Sequence, residues 1–207
     1  MSLRPKLITE FIGTFFLCLV IALSGSAGDF ALIAIGALLT AVIYGGGYIS
    51  GAHYNPAVTL AFFLLKKISA KDGFFYILVQ VLAALLVVFL ATEIFEVRGK
   101  GESRLSNGWP AGLLAEVLGT FVLVWVILHV AISPKTKGNQ YYGLAIGLTV
   151  VGAAWVLGPY SGAAFNPAVG LSQTLDGLYA VADWWVYLLG AIGGSLMATW
   201  IFALTLR

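Results

Sequence analysis

Long apolar runs separated by short polar stretches set the pattern of the chain. Six of them, residues 7–27, 31–48, 74–95, 109–132, 141–157 and 183–206, carry few charges. Runs of roughly 20 residues are long enough to cross a hydrocarbon core of ~30 Å as helices. Two further apolar runs, 56–67 and 167–176, are much shorter. At ~1.5 Å per residue they reach only about half-way through a bilayer, so they are predicted to be re-entrant half-helices. The expected fold class is an all-α membrane protein with six transmembrane helices and two half-helices.

The two short runs follow nearly the same words. Residues 50–60 read S-G-A-H-Y-N-P-A-V-T-L and residues 161–171 read S-G-A-A-F-N-P-A-V-G-L, with eight identities in eleven positions. The first long run also recurs: L-I-T-E-F-I-G-T-F-F-L-C-L-V at 7–20 returns as L-L-A-E-V-L-G-T-F-V-L-V-W-V at 113–126. Arg4 and Lys6 ahead of the first run, with S-G-S-A behind it, imitate a signal peptide. A segment that returns in mid-chain is structural, so it is read as the first span. The chain is therefore expected to form a single domain, 1–207, with repeat 1 at 7–97, a linker at 98–109 and repeat 2 at 110–207. Three spans per repeat make the second copy inverted, related to the first by a pseudo-two-fold axis in the membrane plane.

Asn55 and Asn166 are good N-cap residues, and Pro56 and Pro167 sit where a missing N–H costs nothing. Ala57 and Ala168 complete the two N-P-A motifs. In inverted repeats the half-helices enter from opposite sides, so their N-termini meet near mid-membrane, each with about half a positive charge. Irregular backbone at that depth is tolerated only when buried in protein or lining a wet cavity. Paired Asn donors in such a cavity predict passage of neutral molecules and exclusion of protons and cations.

Composition agrees: 60% of the 207 residues are hydrophobic, 10% are charged, and the mean hydropathy is +0.98. A net charge of +2 does not suggest a nucleic-acid partner. Eight of the 11 basic residues fall on one face of the predicted topology, against Arg98, Lys100 and Arg104 on the other. The positive-inside rule then predicts cytoplasmic termini, in a cell (inner or plasma) membrane. Trp184, Trp185, Tyr179 and Tyr187 are expected to form an interfacial belt. Cys18 is the single cysteine, which leaves no intrachain disulfide and no cysteine-rich metal motif. No H-E-x-x-H and no glycine-rich phosphate loop is present, so neither a cofactor nor enzyme chemistry is expected. An alternating-access transporter shares inverted repeats and broken helices and remains the alternative.

The paired S-G-A-x-x-N-P-A-V segments, the two E-x-x-G-T segments and the six spans resemble the aquaporin and glycerol-facilitator family over essentially the whole chain. The resemblance implies a channel for water and small neutral solutes in a lipid bilayer, assembled as a homotetramer. It places a narrow filter at Ile35, Ala154, Ala163 and Val169, with Trp155 in place of Ala154 if the alignment slips by one. Val169 stands where the family usually has arginine, and Gly170 follows it, so the glycerol-facilitator Arg-Asp pair is absent too. Such a filter should be wider and drier than a water-selective one, or a gate that shuts by dewetting. Glu10 and Glu116 are carboxylates at the same place in the two repeats and, like similar glutamates in the family, are expected to hold the re-entrant loops, with a proton relay as the alternative. His53 resembles a histidine at the cytoplasmic pore mouth of relatives and is expected either to line or gate the pore there or to make only a loop hydrogen bond. His129 is read as interfacial, Glu93 has no assigned role, and Gly143-x-x-x-Gly147 and Gly190-x-x-x-Gly194 fit close helix crossings.

Overall fold

The computed structural model describes residues 2–205, which form helices, turns and loops with no strand among them. Six long helices, α1 (Leu3–Leu23), α2 (Ala31–Ser50), α4 (Ala70–Phe89), α5 (Gly108–Ile127), α6 (Tyr142–Ser161) and α8 (Trp184–Thr205), frame two short ones, α3 (Pro56–Leu64) and α7 (Pro167–Leu175). Five stretches are long and apolar enough to cross a membrane, the first of them covering α1 and α2 together.

Several boundaries differ from the hydropathy pattern. The end of the first run, Ser24–Phe30, is a tight 3-10 stretch broken at Gly28, whose φ of 51° only glycine adopts without strain. The third and fourth long runs finish in single π turns, Leu90–Ile94 and Leu128–Ile132. Each half-helix has nine residues rather than the dozen expected of the first. Helix α6 runs four residues past its expected end, through Pro159, to Ser161. Asp183, expected to cap the last helix, instead closes a 3-10 turn, Val181–Asp183, ahead of it. That helix's expected end at residue 206 lies outside the described residues.

Packing follows the repeat. Helix α1 lies along α4 and α5 along α8, while α2 and α6 pack against each other where the repeats meet. The half-helices lie between the repeats: α3 and α7 each pack on both α4 and α8. Small residues let these axes approach. A Cβ on Gly190 would overlap Glu116 Cβ, and one on Gly194 would overlap the Val117 carbonyl oxygen. On the α2–α6 crossing a Cβ on Gly147 would overlap Thr40 Oγ1. Both glycine pairs therefore serve contacts inside the chain.

The outside of the bundle is apolar, with Phe74, Trp155 and Trp200 all exposed, as helices facing hydrocarbon require. The expected aromatic belt forms only in part. Trp184 and Trp185 are exposed, but Tyr179 and Tyr187 turn inward and stack at 4.4 Å. Their hydroxyls donate to the Gly162 and Ser161 carbonyls at 2.9 and 2.8 Å. The loop after α6 exposes backbone acceptors inside the bundle, and these tyrosines satisfy them.

Candidate functional site

Each half-helix is reached through a loop that reverses the chain in five residues, and the local sequence explains how. Gly51 and Gly162 end α2 and α6 in the left-handed region, at φ 92° and 91°. Four residues with side chains follow them there: Ala52, Tyr54, Ala163 and Phe165, with φ between 48° and 59°. Left-handed residues other than glycine are uncommon and persist only when their surroundings over-determine them.

Two buried carboxylates supply that restraint. Glu10 Oε1 accepts from Ser50 Oγ at 2.7 Å and the His53 N–H at 2.9 Å, and its Oε2 accepts from the Tyr54 N–H at 2.8 Å and Gln80 Nε2 at 2.9 Å. Glu116 repeats the pattern: Oε1 takes Ser161 Oγ at 2.6 Å and the Ala164 N–H at 3.0 Å, and Oε2 takes the Phe165 N–H at 2.7 Å. Both glutamates are fully buried, in helices packed beside the loops they bind.

The asparagines join the two loops. Asn55 Oδ1 accepts from the Ala57 N–H at 2.8 Å, and Asn166 Oδ1 from the Ala168 N–H at 2.9 Å, so each caps its own half-helix. Across the site, Asn55 Nδ2 donates to the Phe165 carbonyl at 3.0 Å and Asn166 Nδ2 to the Tyr54 carbonyl at 2.9 Å. A side-chain amide has two N–H donors. One of each pair is thus spent on the opposite loop, and the other is left for a molecule in the cavity beside it.

That cavity holds about 710 Å³ and is lined by Asn55, Asn166 and His53 amid a largely apolar wall. It reaches from Tyr48 and Lys137 at the end that carries the chain termini to Leu32 and Gly162 at the other, and no carboxylate lines it among the described residues. His53 is buried, with Nδ1 3.1 Å from Thr59 Oγ1 and its ring 4.1 Å from that of Phe62, while Nε2 has no protein partner among the described residues.

A family model described as "Major intrinsic protein" matches residues 1–202. The chain belongs to the major intrinsic protein family. Aquaporin AqpM of Methanothermobacter marburgensis is 34% identical over 236 residues, spanning 95% of this chain and 95% of that protein. Aquaporin NIP3-1 of Arabidopsis thaliana is 34% identical over 223 residues, spanning 98% of this chain and 68% of that protein. The fold matches the X-ray structure of the aquaglyceroporin from Plasmodium falciparum with a TM-score of 0.82 at 21% identity, over 99% of this chain and 97% of that one. As a major intrinsic protein the chain is a multi-pass membrane channel for water or small solutes, not an enzyme.

Within this major intrinsic protein, Ile35, Ala154, Ala163 and Val169 all line the cavity. Ala154 is 6% exposed, whereas Trp155 is 56% exposed and lies off the cavity, on the outer surface of the bundle. His129 is held on its own helix, with Nδ1 2.8 Å from the Trp125 carbonyl oxygen and its ring against Trp125 and Phe202. Glu93 pairs with Arg98.

Some contributors carried a signal that hydropathy does not weigh. Gln80, a polar residue within an apolar span, links Glu10 to Thr59 Oγ1. Tyr76 donates to the Ser50 carbonyl at 2.8 Å just as Tyr187 does to that of Ser161, each 26 positions after its serine. Equal spacing in the two repeats is the mark by which that pair can be found.

Proposed function

We propose that the chain is a passive pore for water and small neutral solutes, and that its paired N-P-A half-helices exclude protons and cations. The observation that carries this reading is the reciprocal bonding of Asn55 and Asn166. It holds two helix N-termini, each with about half a positive charge, against one cavity that has no carboxylate in its described lining. A water between the two free amide N–H groups accepts from both, so its own hydrogens point away along the file. That breaks the donor chain along which a proton would hop.

Ile35, Ala154, Ala163 and Val169 form the selectivity filter in this reading. Their side chains offer neither charge nor hydrogen bonds, which supports a wide, apolar constriction passing solutes larger than water. The names of its relatives, aquaporin and aquaglyceroporin, support water and glycerol-sized permeants. His53 stands at the cytoplasmic mouth, and Glu10 and Glu116 hold the loops. The whole chain, 1–207, acts as one channel domain, with repeats 7–97 and 110–207 joined by the linker 98–109. It works as a homotetramer in a cell membrane, with cytoplasmic termini.

The test is stopped-flow shrinkage and swelling of proteoliposomes with water, glycerol, urea and ammonia in parallel, and a pH dye inside. Linear, uncoupled flux of at least one neutral permeant without proton leak is the expected result. Saturable uptake coupled to a gradient would replace the pore with an alternating-access transporter.

A further inference from the structure

A second cavity, of about 550 Å³, lies over the mouth of the pore remote from the chain termini. Ile21 and Gly162 line both it and the main cavity, so the two adjoin. Part of its wall is the polar stretch between α4 and α5, which is stitched to the turn after α7. The Gly99 and Gly101 N–H groups donate to the Asp176 and Gly177 carbonyls at 2.9 and 2.6 Å, and Ser106 Oγ donates to the Pro159 carbonyl at 2.8 Å. A Cβ on Gly99 would overlap the Gly177 carbonyl, so the two backbones meet without side chains between them.

This stitching delivers Arg104 to the cavity. Its Nε donates to the Leu178 carbonyl at 3.1 Å, and it is the one charged side chain among the described lining residues. The remaining guanidinium N–H groups make no bond to the described protein and are free to donate. Gln173, on the same lining, is 2% exposed, and its amide nitrogen has no partner among the described residues. Buried polar groups are almost always bonded, so an orphan beside a cavity marks a place for an outside partner. Packing does not demand an amide there. The equivalent seventh residue of the other half-helix is Phe62, which fills its place against the His53 ring. Ser24 and Tyr179 spend their hydroxyl protons on backbone carbonyls at 2.9 Å each, leaving lone pairs toward the same space.

The geometry points to a solute-selecting vestibule in which Arg104 and Gln173 determine specificity. It takes neutral molecules that carry a carbonyl or hydroxyl oxygen, and supplies from the stretch between the repeats the charge that Val169 does not supply. A donor fork and an amide meet the solute's oxygen, while the serine and tyrosine lone pairs meet its own N–H or O–H groups. The fixed positive charge repels cations before they reach the apolar ring. The inference rests on the pore reading proposed above.

The test measures water, urea and glycerol permeability of proteoliposomes holding wild type, Arg104→Met, Arg104→Lys or Gln173→Leu. Arg104 is exposed, so its variants should fold; Gln173→Leu is compared only if it elutes as wild type does. Arg104→Met should lower urea and glycerol flux about three- to tenfold and water flux less than about twofold, since it removes a charged donor that only the solutes need. Arg104→Lys should fall between, keeping charge without the planar fork. Equal loss of water and solute flux, no change in either, or a wild type that passes water but neither solute would each overturn the vestibule while leaving the pore standing. A wild type that passes nothing beyond protein-free vesicles would overturn the pore reading itself.

Discussion

Asn55 and Phe165 lie 110 positions apart, yet the side-chain amide of the first donates to the backbone carbonyl of the second at 3.0 Å. The bond does two things at once. It satisfies an acceptor in a loop that cannot pair with itself, and it leaves the second N–H of Asn55, a residue that lines the cavity, unspent. Asn166 and Tyr54 mirror it at 2.9 Å, so the centre of the site is one reciprocal clasp between the repeats.

Asn55→Asp keeps the cap on the Ala57 N–H but sets a carboxylate oxygen against the Phe165 carbonyl. A buried acceptor left without its donor costs about 1–3 kcal/mol. The variant should melt earlier in detergent, and a negative charge where two positive helix ends meet should admit small cations. Thermal unfolding and a sodium-leak assay on the folded fraction check both. Unchanged melting with full ion exclusion would remove Asn55 from the centre of the pore.

Glu116→Gln tests the loop restraint. The glutamine amide replaces one accepting oxygen with a donor, facing either the Phe165 N–H or the Ser161 and Ala164 groups. Loss of at least one buried bond predicts destabilisation of about 1–3 kcal/mol. Flux through the surviving folded protein should remain insensitive to a proton gradient. A proton current in wild type that vanishes in the variant would make Glu116 a relay instead.

Val169→Arg addresses the apolar ring. The side chain would fill space beside Ala154 and Ala163 and bring a fixed charge with several donors. Urea and glycerol permeability should fall much more than water permeability. If the wild-type ring is instead a dewetted gate, its water flux is near background and the substitution raises it. Measuring all three fluxes in both proteins separates the outcomes, and no change in any would take Val169 out of the filter.

Asp176 gives the protein a pH dependence outside the membrane spans. Burial pushes its carboxyl from 3.8 up to about 6, against the lowering effect of the Leu178 N–H that it accepts at 3.1 Å. The native state therefore binds the proton more tightly than the unfolded chain. Its contribution to stability falls as pH rises from about 4 to about 6, and the full cost is present above that. Asp176→Asn keeps an oxygen for the Leu178 N–H and cannot ionise. Its melting temperature should match wild type near pH 4 and exceed it at pH 7.5; equal values at both would remove this group from the pH profile.

Much of this was legible in the chain alone. Six runs of helix length, two short ones and a repeated S-G-A-x-x-N-P-A segment determine the elements and their pairing, because hydrophobic length, capping and the left-handed glycine are local properties. Glu10 and Glu116 could be singled out because a carboxylate recurs at the same place in both repeats. Only the tertiary structure decided which way a side chain points and what it meets. Ala154 and Trp155 are neighbours in equally apolar sequence, yet a helix turns about 100° per residue, so one faces the cavity and the other the outside. Tyr179 and Tyr187 have the composition of an interfacial belt, but the loop carbonyls they satisfy become neighbours only when α6, α7 and α8 assemble. Arg104 reads as one polar residue in a polar stretch. Its place depends on backbone bonds from Gly99 and Gly101 to residues 176 and 177 and on its own Nε bond to the Leu178 carbonyl, a separation that no local pattern encodes.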